Sequence, residues 1–323
     1  MRKLLLILLL MITTSCSAPP ASPPLRITVQ ALWPTYGAMY VAQEKGLFAK
    51  HGVSVTLAHA LDYMQSINPY KKGQADVTLA MLTDVILLNA EGVPSRLVYA
   101  VDYSDSGDMI IAAPPINHLK DLKGKKVSVD GFHTYSHLMV LRLLKASGIN
   151  EGEFEMVSIT EPAKVLAALE AGEIQAGHMY GLSVNKALEK GYKMIGKAGD
   201  VPHLMIEGLT VKTEIIETRP REVQGIVNAL SEAMEFLQQS PDEGLEIIAQ
   251  QVNLTKAELE VTFNRVHRLT LAENQEIFKA GGTLFRGGQE IIDFFYQQGM
   301  LVKIPDLNQV IDTRFVAATA KHP

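Results

Sequence analysis

The chain has 323 residues, of which 47% are hydrophobic and 20% are charged, and its formal net charge is −5. These proportions are those of a globular protein with a large core, and the length favours two domains. Because the charge is mildly negative and the sequence has no basic stripe, a nucleic acid partner is not expected.

The N-terminal segment predicts export. Two basic residues precede an apolar run over 4–12, which is too short to cross a bilayer and is typical of a signal peptide. Cys16, the only cysteine, follows three small residues, as in the lipobox of bacterial lipoproteins. We expect a signal peptide over 1–16, a lipid anchor on Cys16 and a Pro/Ser/Ala tether over 17–24. The alternatives are a plain secretory signal with an incidental cysteine and a true membrane helix.

Beyond the tether, short β-type runs alternate with helical runs, which predicts an α/β fold with mostly parallel strands. The predicted strands are 26–32, 53–57, 77–80, 96–101, 125–130, 154–159, 174–178 and 205–212. The predicted helices among them are 38–45, 64–72, 84–91, 137–147 and 163–171. After the last strand only helices are predicted, over 221–239, 241–252, 255–265 and 272–298.

The order of elements repeats along the chain. KKGQADVTLAM (71–81) and EAGEIQAGHM (170–179) both contain a helix end, a glycine and a short apolar strand. This repetition predicts two similar α/β lobes.

Four stretches, taken together, resemble one family. They are YVAQEKGLFAKHGVSVTL (40–57), GQADVTLAMLTDVI (73–86), LKDLKGKKVSVDG (119–131) and ALEAGEIQAG (168–177). In this order they resemble the substrate-binding proteins of ABC importers, in the superfamily of nitrate, sulfonate, taurine and thiamine-pyrimidine-precursor receptors.

The resemblance implies the type II periplasmic binding protein fold, with two lobes, two hinge crossings and a helical C-terminal tail. Lobe one would comprise 25–112 and 206–323, and lobe two 113–205, with crossings near 112–113 and 204–207. Ligand would bind between the lobes, and the closed form would be recognised by an ABC permease with its ATPase. The protein would be a monomer in the periplasm or cell envelope, held to the membrane by its lipid anchor.

Ligands of such sheets bind beyond the carboxyl ends of the strands, and this rule selects the candidate site. The candidates in lobe one are Trp33, Thr35, Tyr36, Asp62, Thr83, Asp84, Asp102 and Tyr103. Those in lobe two are His133, Thr134, Tyr135, His178 and Tyr180, and Glu207 lies beside the second crossing. Structural roles are the alternatives: a core position for Trp33, helix caps for Asp62 and Asp84, surface or cap positions for the histidines, and a hinge role for Glu207.

Two neighbouring groups are assigned structural roles. Asp105 and Asp108 are expected to shape the turn after the fourth strand. Ser136 is expected to be the N-cap of the helix that follows Tyr135. The free N–H groups at the start of that helix form an anion site, and the resemblance implies that sulfonate and nitrate receptors use it.

The candidate loops contain aromatic and acidic residues but no arginine or lysine. This composition disfavours a bare inorganic oxyanion. It favours a flat nitrogen-containing ring, such as a pyrimidine, or an amine-bearing compound.

No catalytic motif is found: the sequence has no Gly-x-Ser-x-Gly, no His-Glu-x-x-His and no phosphate-binding loop. We therefore expect a binding protein with no catalytic residues, cofactor or metal. Three alternatives stay open: a ligand-sensing lipoprotein that reports to a membrane kinase, a receptor for sulfonates or other small anions, and a periplasmic enzyme of the same fold.

Overall fold

The computed structural model describes residues 22–31, 33–201 and 204–320. The predicted signal peptide, Cys16 and tether residues 17–21 lie outside this part of the chain. Within it, no helix combines the length and the apolar character needed to span a bilayer.

Strands and helices alternate as the sequence predicts, but the strands Asp108–Ala112 and Lys193–Lys197 and the helix Leu182–Glu189 have no predicted counterpart. The strands are β1 (Leu25–Gln30), β2 (Val55–Ala60), β3 (Val77–Met81), β4 (Ser95–Ser104), β5 (Asp108–Ala112), β6 (Lys126–Val129), β7 (Glu155–Ser158), β8 (Ala176–Tyr180), β9 (Lys193–Lys197), β10 (Ile206–Lys212) and β11 (Val266–Arg268).

The helices lie between and after them. They are α1 (Ala38–Glu44), α2 (Leu47–Lys50), α3 (Tyr63–Lys71), α4 (Leu82–Ala90), α5 (Tyr135–Ala146), α6 (Pro162–Glu170), α7 (Leu182–Glu189), α8 (Thr213–Thr218), α9 (Pro220–Gln239), α10 (Pro241–Val252), α11 (Lys256–Phe263), α12 (Leu271–Ile277), α13 (Thr283–Gln297), α14 (Leu307–Val310) and α15 (Arg314–Ala318).

The strands form two separate sheets, each at the centre of one lobe. Lobe one contains the order β11-β4-β10-β3-β1-β2, and lobe two the order β7-β6-β8-β5-β9. In each sheet three strands run parallel, β1 to β3 in lobe one and β6 to β8 in lobe two. The central strand β3 is buried along its whole length, as expected for a parallel strand covered on both faces.

Strands β5 and β10 show where the chain passes from one lobe to the other. β5 follows lobe-one strand β4 directly and pairs antiparallel with β8 and β9 of lobe two. β10 returns from lobe two and pairs antiparallel with β3 and β4. The chain therefore changes lobe twice, at 105–107 between β4 and β5 and again between β9 and β10, as a two-hinge fold requires.

Three predictions about these elements are wrong. The strands are not mostly parallel, because five of the nine strand pairs among the described residues are antiparallel. The first crossing lies at 105–107 and not near 112–113, because β5 is hydrogen-bonded in the lobe-two sheet. The tail beyond β10 is not purely helical, because β11 pairs with the edge of β4. A three-residue strand is too short to show the alternation by which strands are recognised in sequence.

Candidate functional site

The two lobes meet where β1 and β8 end. Gln30 and Tyr180 are the last residues of these strands, and both side chains are buried. The Gln30 Nε2 donates a hydrogen bond of 3.1 Å to the Tyr180 hydroxyl oxygen. Nearby, the rings of Tyr63 from lobe one and Tyr135 from lobe two pack edge to face, with centroids 5.1 Å apart. The carboxyl ends of the strands thus face each other across the lobe boundary.

A set of buried aromatic and polar side chains, five of them acidic, surrounds these contacts, and we call it the interlobe cluster. Its members are Gln30, Trp33, Thr35, Tyr36, Tyr63, Asp84, Asp102, Asp108, Asp130, Tyr135, His178, Tyr180 and Glu207.

Trp33 links the lobe-one wall of the cluster to lobe two. Its indole N–H donates to Asp102 Oδ2 at 3.0 Å, and its ring packs edge-on against Tyr180 with centroids 6.4 Å apart. The same ring lies against the first crossing, because a Cβ placed on Gly107 would be 2.8 Å from it. Only 4% of Trp33 is exposed, so its ring is both a wall of the cluster and part of the packing beside the hinge.

Asp102 is fully buried at the end of β4. One carboxylate oxygen accepts hydrogen bonds from Trp33 and from the Thr35 hydroxyl. The other, Oδ1, has no hydrogen-bond partner among the described residues. Burial raises the pKa of Asp102 to about 7, against the opposing effect of the two hydrogen bonds.

Asp84 lies in the first turn of α4 and is also buried. Burial raises its pKa to about 7, although the Tyr63 hydroxyl and the Tyr135 backbone N–H act to lower it. The Tyr63 hydroxyl lies near this carboxyl without forming a regular hydrogen bond, and Asp84 Oδ2 has no hydrogen-bond partner in the part of the chain that the structure covers. Asp84 therefore faces the cluster with an unused acceptor.

Glu207 completes the lobe-one wall from the start of β10. Its carboxyl accepts a hydrogen bond from the Tyr36 hydroxyl. Burial raises the pKa of Glu207 well above its ordinary value. Three acids of lobe one therefore retain protons to a higher pH than exposed acids.

Lobe two contains a buried histidine between two carboxylates. His178 Nε2 lies 2.9 Å from Asp108 Oδ1, and its Nδ1 lies 3.1 Å from Asp130 Oδ1. Although burial acts to lower the pKa of His178, the two carboxylates raise it to about 10. The Tyr135 hydroxyl donates to Asp130 Oδ2 at 2.7 Å, whereas Asp108 Oδ2 has no partner in the described chain.

The structure gives other predicted residues local roles. Asp62 is the N-cap of α3, where it accepts from the Gln65 backbone N–H at 2.8 Å. The buried Thr83 hydroxyl lies 3.4 Å from the Leu204 carbonyl oxygen, close to the second crossing. Thr134, and not Ser136 as predicted, is the N-cap residue of α5.

Two predicted contacts lie away from the cluster. Tyr103 is 41% exposed and stacks on His267, because alternation along β4 directs it away from the side that Asp102 occupies. His133 is exposed in a left-handed backbone conformation, with φ of 61°, and stacks on His137.

The sequence reasoning did not select Gln30, Tyr63, Asp108 and Asp130 as site residues. Gln30 and Asp130 follow directly from the rule that was used for the others, since each is a polar residue at the carboxyl end of a parallel strand. Asp108 is not part of the turn. Asp108 is the first residue of β5, and its carboxylate is hydrogen-bonded to His178 on β8. This contact forms only because the crossing ends before Asp108, so that β5 belongs to the lobe-two sheet.

The cluster as a whole is rich in acceptors. Asp84 Oδ2, Asp102 Oδ1 and Asp108 Oδ2 are buried carboxylate oxygens without a partner among the described residues. Such atoms are costly unless a donor reaches them. The arrangement is therefore suited to a molecule that presents N–H or O–H donors between aromatic rings. No group of three or more histidine, cysteine or acidic side chains with metal-binding geometry occurs in 22–31, 33–201 and 204–320.

Comparison with known proteins identifies the family. The family model described as NMT1/THI5 like matches residues 33–244. The chain belongs to the NMT1/THI5-like family. This assignment agrees with the superfamily resemblance seen in the four sequence stretches.

Individual relatives are distant. The taurine-binding periplasmic protein of Escherichia coli is 23% identical over 288 residues, which are 85% of this chain and 88% of that protein. The alkanesulfonate-binding protein SsuA of Xanthomonas axonopodis pv. citri, solved with bound MOPS, has a TM-score of 0.74 and 19% identity. The match covers 92% of this chain and all of that one. The two-lobe fold of the periplasmic binding proteins is thereby confirmed.

The same fold also carries catalysis in another protein. The desulfurization enzyme DSZB has a TM-score of 0.67 and 13% identity, with 92% of this chain and 98% of that one covered. The fold alone therefore does not distinguish binding from chemistry.

Proposed function

We propose that this protein is an extracytoplasmic solute-binding protein of an ABC importer. It captures a small organic molecule between its lobes by hinge closure and delivers it to a membrane permease. The family assignment, the shared fold and the periplasmic relative support this function. A lipid anchor on Cys16 would keep the receptor close to its transporter, although a soluble receptor would do the same work.

The observation that carries the proposal is the set of unpartnered carboxylate oxygens in the interlobe cluster. They belong to Asp84 and Asp102 of lobe one and to Asp108 of the lobe-two sheet. A ligand that donates to oxygens on both sides of the boundary would hold the lobes together. Ligand-driven closure requires this kind of differential contact.

The ligand class follows from the same atoms. We propose a flat nitrogen-containing ring or an amine-bearing compound, stacked against aromatic side chains and donating charge-assisted hydrogen bonds to the acids. Trp33, Tyr63 and Tyr180 would supply the apolar walls. The names of the sulfonate-binding relatives favour a sulfonate instead, but a sulfonate group brings only acceptor oxygens to these carboxylates.

We further propose that the protein binds without chemical turnover. His178 is the only histidine in the interlobe cluster, and both of its ring nitrogens are engaged by carboxylates. A histidine that acts as a general base needs a free ring nitrogen within reach of the substrate. Recovery of an altered compound after incubation with the protein would instead support an enzyme.

A thermal-shift screen of the purified mature protein tests the ligand class. The panel contains aminopyrimidines, small amines, taurine and simple alkanesulfonates. We expect stabilisation by amines or aminopyrimidines, reaching about 2.7 kcal/mol at a hundredfold excess over Kd. Stabilisation by alkanesulfonates alone would contradict the proposed class and support the anion receptor. Native mass spectrometry of the same protein identifies any ligand that co-purifies.

A further inference from the structure

The N-terminus of α5, in lobe two, is buried and lacks a side-chain cap. Thr134 is the N-cap residue, but its hydroxyl donates to the Gly131 carbonyl oxygen at 2.8 Å. The Ser136 hydroxyl accepts from the Asp130 backbone N–H at 3.0 Å, so it is directed back to β6. The first N–H groups of this twelve-residue helix therefore receive no acceptor from their own turn. Such a helix end attracts negative charge.

The acid that faces this helix end belongs to the other lobe. Asp84 projects from α4 of lobe one, and only 4% of it is exposed. The Tyr135 backbone N–H, the first of α5, acts on the Asp84 carboxyl and favours its charged form. Asp84 Oδ2 nevertheless has no hydrogen-bond partner among the residues that the structure describes.

We propose that Asp84 is a specificity-determining residue that supplies the negative charge at the α5 N-terminus and thereby excludes anionic ligands. The inference rests on the proposed function, because it concerns which ligands the interlobe cluster admits. A sulfonate at this helix end would lie beside a buried carboxylate, and two like charges in a poorly hydrated site repel strongly. The chain thus blocks its own anion site with a side chain from the opposite lobe.

The surrounding charges do not cancel this repulsion. Asp130 adds a second negative charge near Asp84, the nearby cation His178 is shared between Asp108 and Asp130, and the attraction of Lys71 is weaker than the effect of the Tyr135 N–H. The Tyr135 N–H that acts on Asp84 belongs to the opposite lobe, so an anion at the helix end would compete with Asp84 for it. Selectivity and closure would then depend on the same carboxyl group.

The experiment removes the charge and keeps the shape. Asp84→Asn and Asp84→Ser are titrated with ethanesulfonate, which has no amine, at about pH 8, where the wild-type carboxyl is mostly ionised. The signal is the fluorescence of Trp33, the only tryptophan. We expect both variants to bind ethanesulfonate at least about tenfold more tightly than the wild type.

Asp62→Asn is the matched control. Asp62 is also a buried acid of lobe one near a helix start, but its carboxyl caps its own helix α3. The same loss of charge there should leave ethanesulfonate affinity unchanged. Circular dichroism melting verifies that each variant is folded, and Asp84→Ser serves if the asparagine variant is unstable.

Two results would overturn the inference: ethanesulfonate binding by the wild type as tight as by Asp84→Asn, or folded Asp84 variants with no gain over Asp62→Asn. Failure of the proposed ligand class gives a different result. In that case the wild type ignores the amines and aminopyrimidines, while the gain of sulfonate binding in the Asp84 variants is still observed.

Discussion

The two walls of the interlobe cluster carry buried charge in different ways. In lobe two, His178 lies between Asp108 and Asp130, so one cation compensates for two acids. In lobe one, burial raises the pKa of Asp84 and Asp102, and no histidine, lysine or arginine side chain is hydrogen-bonded to either acid in the described residues. Lobe two thus holds a preformed charged group, whereas lobe one holds acids that gain from a donor supplied by a ligand.

The largest expected effect concerns the lobe-two wall. Replacing His178 by asparagine leaves Asp108 and Asp130 buried without their cation, and such a loss costs about 3–5 kcal/mol. Urea unfolding should show this decrease in the free energy of unfolding. His133→Asn, at the exposed histidine, should change it by no more than about 0.5 kcal/mol. Equal stability of the two variants would show that the buried histidine does not compensate for these acids.

The next effect concerns ligand affinity at the lobe-one wall. Asp102→Asn keeps an oxygen for Trp33 and Thr35 but removes the charge that would attract a donor. Affinity for the amine or aminopyrimidine found in the screen should fall by about 10- to 100-fold, since a hydrogen bond to a charged group contributes about 1.5–3 kcal/mol. Tyr103→Phe is the control, because this neighbour lies outside the cluster. An unchanged Kd in Asp102→Asn would remove Asp102 from the site.

The pH dependence of stability should also separate the walls. Burial raises the pKa of Asp84 and Asp102 from 3.8 in the unfolded chain to about 7. Between these values the folded state holds more protons, so each acid makes stability fall as pH rises, by up to about 1.4 kcal/mol per pH unit. The Asp84→Asn variant lacks the contribution of Asp84 to this decrease. Its free energy of unfolding, compared with that of the wild type, should therefore increase from pH 4 to about pH 7.

The contribution of His178 in lobe two to the stability of the fold is lost at higher pH than that of the lobe-one acids. The pKa of His178 is raised from 6.5 to about 10, so its stabilisation is complete below the unfolded value and is lost as pH rises towards 10. A stability difference between Asp84→Asn and the wild type that does not vary with pH would contradict the raised pKa of Asp84.

Further effects are expected at the two crossings. A Cβ on Gly107 would lie 2.8 Å from the Trp33 ring, whereas one on Gly199 would lie 2.3 Å from the Asp105 carboxylate. The Trp33 ring is buried, but the Asp105 side chain is half exposed and can move away. Gly107→Ala should therefore cost about 1–3 kcal/mol and change the tryptophan emission, while Gly199→Ala should do neither. The opposite ranking would show that Trp33 does not pack tightly on the first crossing.

Much of the fold could be predicted because its elements have strong local signals. Strand β3 is a short apolar run after a glycine, and Thr255 with Glu258 forms a capping box at the start of α11, where the sequence predicts that a helix begins. The limits of the first crossing depend instead on which sheet β5 joins. That pairing is a long-range property of the chain, and no local pattern in 108–112 specifies it.

The site was predictable to the extent that strand ends determine it. Trp33, Asp102, Tyr135 and His178 were selected by their position after strands, and the structure places them in one cluster. Tyr103 was selected by the same rule, but strand alternation directs it elsewhere. The face that a strand's last residues present cannot be assigned before the register of the sheet is known.

A direct test of the account is a fluorescence titration of the wild-type protein with matched ligands. Trp33 reports on the cluster, and an aminopyrimidine, an alkylamine and an alkanesulfonate of similar size are compared at about pH 8, where Asp84 and Asp102 are mostly ionised. The account predicts a saturable change with an amine-bearing ligand and none with the sulfonate. A saturable change with the sulfonate, and none with the amines, would contradict it.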